Sequence, residues 1–226
     1  MTDLIIILGA SQVHGFMPLY LEQLKAASID YHIHDGSDKP NINAGGNLGY
    51  RVNIFKRLAA QFSNYERIVF SDAFDVLFYG TREDVIARIP TDHLLHAAEK
   101  NCYPDQCLGL PIPDRGPHRY ANGGLVAGTP EQFMKWCDEI PRQRGYHPEH
   151  LDQYFLNVLV SQNSPLCIID HRTELFFCLH SGYNELEFEK GFPINRMYNT
   201  RPCFIHANGG YDPSKMFEDQ KRSLTL

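Results

Sequence analysis

The chain has 226 residues, the size of one ordinary domain, and a chain of this length buries about 70–75% of its unfolded surface on folding. Hydrophobic residues make up 43% of it and charged residues 21%, a balance typical of soluble globular proteins. The net charge of −6 excludes a whole-chain attraction to nucleic acid or to an anionic membrane, although it leaves room for a local basic patch.

The first half of the chain alternates apolar strands with amphipathic helices. A strand at 3–10 is followed by a helix that begins near Pro18, a strand around 31–35, a helix over 48–59 and a strand at 68–70. The apolar run at 4–8 is too short to span a membrane and lacks a basic segment with a cleavage site. The alternation predicts a parallel, doubly wound sheet flanked by helices.

The second half continues the pattern less regularly. It contains, in order, a capped helix from Thr81 that Pro90 ends, a strand at 93–98 ending at Glu99, a loop at 103–119, a small-residue segment at 120–128, helices beginning at Pro130 and at His150, strands at 166–170 and 174–178, and an organised motif at 204–210. We predict a single domain over 1–210, followed by a polar, loosely held C-terminal tail over 211–226.

The six cysteines are scattered through the chain and form no C-x-x-C pair, so they do not indicate a zinc site. With no secretion signal in the sequence, we expect reduced thiols and a cytoplasmic location. Cys102 and Cys107 are near enough in sequence to bridge across their loop.

Two acids, Asp72 and Asp75, directly follow the apolar strand at 68–70. Apolar residues on both sides make buried charges costly unless something neutralises them, and carboxylate oxygens are the ligands that Mg²⁺ and Mn²⁺ prefer. The carboxyl end of a strand in an open α/β sheet is also where ligands bind. The alternative is a turn with two solvated acids.

Five motifs, taken in order, resemble one known family. They are 70–76 with its two acids, 98–105, Asn122-Gly123-Gly124 with Gly128, Asp152-Gln153, and 205–209. The pattern is similar to the glycosyltransferase domain of procollagen lysyl hydroxylases and their viral and bacterial relatives, which have the Rossmann-like GT-A fold. The match runs from the loop at Gly45 and Gly46 to Gly210. It implies transfer of a sugar from a UDP-sugar to an acceptor hydroxyl, assisted by Mn²⁺.

The resemblance makes Asp72, Asp75 and His206 the metal ligands, in a variant of the DxD motif. A divalent cation would stabilise the charge that builds on the diphosphate leaving group. A mixed set of oxygen and nitrogen ligands suits Mn²⁺ better than Ca²⁺, and Mg²⁺ is an alternative. For an isolated histidine after a strand, a place in the core is the favoured interpretation; the position of His206 before Asn208-Gly209-Gly210 favours the ligand role.

The resemblance also implies a set of donor-binding residues. Phe74 would stack on the uracil, Arg51 stands where relatives have lysine and would pair with phosphate, and glycines would allow close backbone approach. The set is Arg51, Gly45, Gly46, Ser71, Phe74, Glu99, Asn122, Gly123, Gly124, Gln153, Asn208 and Gly209. Core packing for Phe74 and tight turns for the glycines are the alternatives.

Asp152 is the acid that we place nearest the reacting carbon. Relatives typically show Asp-Asp-Gln here, whereas this chain has Leu151-Asp152-Gln153. The missing first acid makes His150 a neighbouring candidate for the base, because imidazole titrates near neutral pH.

Two other functions are open at this point: a nucleotide-sugar phosphohydrolase, with water replacing the acceptor, and a catalytically inactive nucleotide- or carbohydrate-binding module. Retention of Asp72, Asp75, Asp152 and His206 together argues against the inactive module. The acceptor is open among lipid-linked glycan, protein, small molecule and modified nucleic acid, and the sequence does not fix the transferred sugar, the stereochemistry or the oligomeric state.

Overall fold

The computed structural model describes residues 2–10, 12–35, 47–210 and 214–224. Gly45 and Gly46, predicted to approach the nucleotide, lie outside the described residues. The strands are β1 (Thr2–Gly9), β2 (Asp30–His34), β3 (Tyr65–Asp72), β4 (Val76–Phe78), β5 (Leu95–Glu99), β6 (Tyr120–Gly128), β7 (Ile168–Ile169), β8 (Phe176–Cys178), β9 (Leu186–Glu189), β10 (Phe192–Asn195) and β11 (Phe204–His206). The α-helices are α1 (Met17–Ala26), α2 (Leu48–Gln61), α3 (Arg82–Arg88), α4 (Pro130–Glu139), α5 (Asp152–Ser161) and α6 (Ser214–Ser223).

The main sheet has six strands in the order β2-β1-β3-β6-β5-β7. The strands β2, β1 and β3 are parallel, as the alternation of strands and helices predicts. The strand β6 runs antiparallel to both of its neighbours, so the sheet is mixed. Because β6 follows β5 through the loop at 103–119 and not through a crossover helix, the chain can return in the opposite direction.

A second, three-stranded sheet has the order β4-β11-β8, which the sequence pattern did not predict. The strand β11 pairs antiparallel with β4 and parallel with β8. In the β4–β11 register His206 lies opposite Val76, the residue after Asp75. This small sheet therefore places a histidine from near the end of the chain beside the two acids.

Helices cover both faces of the main sheet. The helices α2, α4 and α5 pack on one face around an aromatic cluster of Phe55, Phe70, Phe133 and Trp136, while α1 and α3 pack on the other. Each such side chain stabilises the fold by about 1.5–3 kcal/mol when it is fully buried. The helix α2 begins after Asn47, whose side chain accepts a hydrogen bond from the Tyr50 amide at 3.0 Å.

Two features of the C-terminal part were not predicted from the sequence. The strands β9 and β10 form a hairpin whose two-residue turn has positive φ at Lys190 (50°) and Gly191 (83°). The predicted loose tail contains the helix α6, whose Met216 is fully buried and packs with Phe217 in a third apolar cluster. Met216 and Phe217 give this otherwise polar helix its apolar contact with the rest of the domain. No helix in the described ranges is long and apolar enough to cross a membrane.

Candidate functional site

A crevice of about 1040 Å³ opens at the carboxyl ends of β1, β3 and β5. Ligands bind at this edge of open α/β sheets. The crevice is lined by every predicted site residue in the described part of the chain except His150: Arg51, Ser71, Asp72, Phe74, Asp75, Glu99, Asn122, Gly123, Gly124, Asp152, Gln153, His206, Asn208 and Gly209.

Asp72, Asp75 and His206 meet at the centre of the crevice. One potential ligand atom from each lies within 4.8 Å of the others. The Nε2 atom of His206 is 3.5 Å from Oδ2 of Asp72 and 3.3 Å from Oδ2 of Asp75. The histidine is buried, whereas the Asp72 side chain is 58% exposed to the crevice. Two carboxylates open to solvent and one fixed imidazole therefore surround a single small volume.

The acids and the histidine shift each other's pKa values. Burial acts to lower the pKa of His206, but the hydrogen bond and charge of Asp75 and the charge of Asp72 outweigh burial and raise the pKa. Burial acts to raise the pKa of Asp75, but His206 brings it below its ordinary value. Desolvation by the walls of the crevice raises the pKa of Asp72, opposed by the charge of His206. In the absence of a metal ion, the charges of the two acids therefore favour the protonated form of His206.

The surroundings of His206 fit a divalent cation. Its second ring nitrogen, Nδ1, is buried without a hydrogen-bond partner among the described residues, so hydrogen bonding alone does not explain the position of the ring. Gly124 leaves the space that the ligand atoms fill, because a Cβ there would lie 2.5 Å from Asp72 Oδ2 and 2.3 Å from His206 Cε1. Two carboxylates and one imidazole are a donor set for a divalent cation, and the residues present fit such an ion.

Glu99 connects three of the segments that line the crevice. It is only 2% exposed, and its carboxylate accepts hydrogen bonds from the amide nitrogens of Asn122 (3.1 Å), Gln153 (2.5 Å) and Asn208 (2.7 Å). Burial raises the pKa of Glu99, while these amides oppose the rise. One carboxylate thus fixes side chains from β6, from α5 and from the loop after β11.

The amide oxygens of the same three residues accept hydrogen bonds from the backbone. Asn122 accepts from the Gly124 N–H at 2.8 Å, and Gln153 accepts from the Gly123 N–H at 3.0 Å. Asn208 accepts from the His180 N–H at 3.1 Å. Each amide is therefore oriented from both ends, and one hydrogen of each NH₂ group has no acceptor among the described residues.

Arg51 and Asp152 form a nearly buried ion pair between Nε of the arginine and Oδ2 of the aspartate. The guanidinium also donates to the Gly123 carbonyl at 2.5 Å and lies 5.2 Å from the centre of the Phe55 ring. The other oxygen of Asp152 accepts the Gln153 N–H at 2.6 Å. Asp152 is thus an oriented carboxylate at the start of α5, beside the glycine segment of β6.

His150 is the one described candidate that the structure places outside the crevice. Its ring contacts His147 and Tyr154, with centroids 5.3 Å and 5.7 Å away. The helix α5 begins at Asp152, so His150 belongs to the preceding turn, where its carbonyl accepts the Leu48 N–H. Proximity to Asp152 in sequence was therefore a poor guide, because the chain changes direction between the two residues.

Two supporting residues were missed by sequence reasoning. Buried Tyr20 donates to Ser71 Oγ at 3.0 Å, and Ser71 donates to the Asp72 carbonyl at 2.6 Å, which fixes the turn that carries the acids. Buried Asn157 pairs with both the N–H and the carbonyl of Ala121 in β6. A lone amide on the apolar face of α5 was a signal that could have identified Asn157.

Comparisons with known proteins agree on one kind of domain. Residues 15–216 match the family model described as PLOD GT domain. The chain is 27% identical over 237 residues to a multifunctional procollagen lysine hydroxylase and glycosyltransferase of Caenorhabditis elegans, which covers 94% of this chain and 31% of that protein. It is 26% identical over 178 residues to a procollagen-lysine,2-oxoglutarate 5-dioxygenase of Drosophila melanogaster, covering 71% of this chain and 24% of the relative.

The chain thus spans between a quarter and a third of the length of these relatives. Among solved structures, a glycosyltransferase involved in the glycosylation of the major capsid of PBCV-1 superposes with a TM-score of 0.56. That comparison covers 99% of this chain and 100% of the other at 12% identity, so it bears on the fold alone. The fold agrees with the expected GT-A type.

Proposed function

The chain belongs to the PLOD GT domain family of glycosyltransferase domains, and on this premise we propose that it moves a sugar from a UDP-sugar to an acceptor hydroxyl with the help of a divalent cation. The observation that carries the proposal is the meeting of Asp72, Asp75 and His206 in the crevice at the carboxyl edge of the sheet. Residues from the three other predicted motifs, 98–105, 122–124 and 152–153, line the same crevice.

Asp72, Asp75 and His206 would hold the cation, with Mn²⁺ preferred and Mg²⁺ as the alternative. When bound, the ion supplies positive charge that stabilises the diphosphate leaving group. Asp72 and Asp75 bring two negative charges, and His206 offers Nε2 once it has lost its proton. Gly124 keeps the space between these side chains clear.

The donor would extend along the crevice to either side of the acids. Phe74 offers an aromatic ring for the uracil, and Ser71 holds the turn that presents it. On the other side, Asn122, Gln153 and Asn208 each donate one amide hydrogen to Glu99. Their second amide hydrogens would donate to hydroxyls of the sugar. Glu99 orients these amides, because each of its carboxylate oxygens accepts a hydrogen bond from at least one of them.

Asp152 would act closest to the reacting carbon. Arg51 and the Gln153 N–H hold its two oxygens, so the carboxylate is fixed in orientation and does not rotate freely. A fixed carboxylate is suited to stabilising developing positive charge on the sugar or to orienting the acceptor hydroxyl. Arg51 also donates to the Gly123 carbonyl, and it thereby connects Asp152 to the glycine segment of β6.

Calorimetric titration with Mn²⁺ and with nucleoside diphosphates tests the donor site. We expect UDP to bind more tightly than GDP, ADP or CDP, and only when Mn²⁺ is present. Asp75→Asn is expected to abolish Mn²⁺-dependent UDP binding because it removes an anionic ligand while keeping the shape of the side chain. Asp92→Asn is the matched control, since Asp92 is 81% exposed and pairs with His93. Tighter binding of another diphosphate, or an Asp75→Asn variant like wild type, would contradict the proposal.

Turnover with a UDP-sugar separates the enzyme from a binding module. We expect Asp152→Asn to lower the rate by about 10²–10⁴-fold while UDP binding stays close to that of wild type. An equal loss of UDP binding would instead make Asp152 a donor-binding residue. Hydrolysis in place of transfer to an added hydroxyl, measured as release of UDP with free sugar or of UMP with sugar 1-phosphate, would indicate the nucleotide-sugar hydrolase.

A further inference from the structure

His14, a residue outside the predicted site, stacks on Phe74. The centroids of the two rings are 3.5 Å apart and their planes are tilted by 20°. The next closest stacked pair in the described part of the chain, Phe55 with Phe70, lies at 4.1 Å. His14 is exposed to solvent, so burial does not explain the contact.

The backbone on either side of Gly15 holds the imidazole against this ring. The Phe16 N–H donates to the Phe74 carbonyl at 2.8 Å. Gly15 has φ of +61°, and a Cβ at this position would lie 2.4 Å from the same carbonyl oxygen. Only glycine allows so close an approach at this backbone conformation. The segment 14–16 is therefore docked on the turn that carries the two acids.

Phe74 is among the residues that line the crevice, whereas His14 is not. His14 therefore contacts the Phe74 ring without itself lining the crevice, and the part of Phe74 that lines the crevice is available to a ligand.

From this arrangement we infer that His14 is a positioning residue for nucleotide recognition: by stacking on the Phe74 ring, it fixes the orientation in which that ring meets the base of the donor. The inference rests on the proposed function, in which Phe74 stacks on the uracil. A half-buried ring without this support would lose rotational freedom when the base binds, which weakens binding. The stacking of His14 fixes the ring beforehand.

Calorimetry with Mn²⁺ tests this role of His14, using UDP and inorganic pyrophosphate as probes. Loss of one aromatic pair predicts about two- to tenfold weaker UDP binding in His14→Ala. Pyrophosphate has no base, so its affinity is expected to stay at the wild-type level. His14→Phe restores a flat ring and is expected to recover UDP binding. Val13→Ala is the matched control, because Val13 is the adjacent residue and is 60% exposed.

A double-variant cycle checks that the effect passes through the Phe74 ring. In a Phe74→Leu background, His14→Ala is expected to cause no further loss of UDP affinity. Equal UDP affinities of His14→Ala and Val13→Ala would overturn the inference alone. A parallel loss of pyrophosphate binding would overturn it too, since it would show that the whole turn had moved. Wild-type protein that bound pyrophosphate but not UDP would overturn the proposed donor as well.

Discussion

The space at Gly124 offers a sharp test of the metal site, because one added methyl group acts directly on the ligand atoms. In Gly124→Ala the new Cβ would lie 2.3 Å from His206 Cε1, 2.5 Å from Asp72 Oδ2 and 2.9 Å from His206 Nδ1. Gly124 has no positive φ in the structure, so the effect of the substitution comes from contact and not from backbone strain.

The distances set the size of the effect. The ligand side chains must move by about 1 Å to reach ordinary van der Waals separation, whereas metal sites tolerate deviations of only about 0.2 Å. Asp72 is 58% exposed and can swing into the crevice, but His206 is 3% exposed and has no room to move. Overpacking of this kind costs about 1–3 kcal/mol in the free energy of unfolding. We expect Mn²⁺ binding to weaken by about 10–100-fold, which corresponds to about 1.4–2.7 kcal/mol and is similar in size to the loss of folding stability.

Calorimetric titration of Mn²⁺, together with urea denaturation, measures both quantities. Gly9→Ala is the control: Gly9 lines the same crevice and lies opposite Asp72 in the β1–β3 register, but a Cβ there would meet nothing within 4 Å. It adds the same methyl group without the overlap. A Gly124→Ala protein that bound Mn²⁺ as tightly as Gly9→Ala would refute the assignment of Asp72 and His206 as ligands.

Two further outcomes follow from charges at the site. Asp75 raises the pKa of His206 above 6.5, so this histidine stabilises the metal-free protein fully below about pH 6.5 and loses that contribution as the pH rises through the raised pKa. Mn²⁺ must displace the same proton, so its stabilising effect in thermal melts is expected to grow between about pH 6 and about pH 8; a gain independent of pH would contradict ligation by His206. Glu99→Gln replaces one acceptor oxygen with a donor, and we expect it to lower the free energy of unfolding in urea by about 1–3 kcal/mol, against less than about 0.5 kcal/mol for the exposed Glu66→Gln. Adding Asn208→Asp returns an acceptor and is expected to recover part of that loss; a double variant no more stable than Glu99→Gln would argue against the network.

The three candidate metal ligands were predicted from the sequence in two separate steps. Asp72 and Asp75 follow an apolar strand, and that local pattern alone indicated a site at the edge of a sheet. His206 could be added only through the family resemblance, which the match to the family model confirms. The structure supplies the physical reason, since the pairing of β4 with β11 brings His206 to Asp75. Strands of three residues are too short to give a periodic signal of their own.

Other features depend on contacts that no local pattern encodes. The direction of β6 follows from how its glycine-rich segment pairs with β3 and β5. The hairpin of β9 and β10 turns at Lys190-Gly191, which differs from the familiar Asn-Gly signal by one residue. The sequence named Glu99, Asn122, Gln153 and Asn208 as site residues, but not the hydrogen bonds that join Glu99 to the three amides, because these residues come from distant parts of the chain.

Leu151 stands where the resemblance predicts an acid, and the pairing of Arg51 with Asp152 gives a physical reason for its apolar side chain. Leu151 lines the crevice with an apolar side chain at the position where the resemblance predicts an acid, and the backbone there bridges to Asn47. With one acid instead of two, Asp152 is matched by a single cation, Arg51, in a nearly buried pair. A second carboxylate beside this pair would carry an unmatched charge into a desolvated wall, which is costly. Since His150 lies outside the crevice, Asp152 is the one of these two candidates that lines it, so the proposed role in catalysis rests on Asp152.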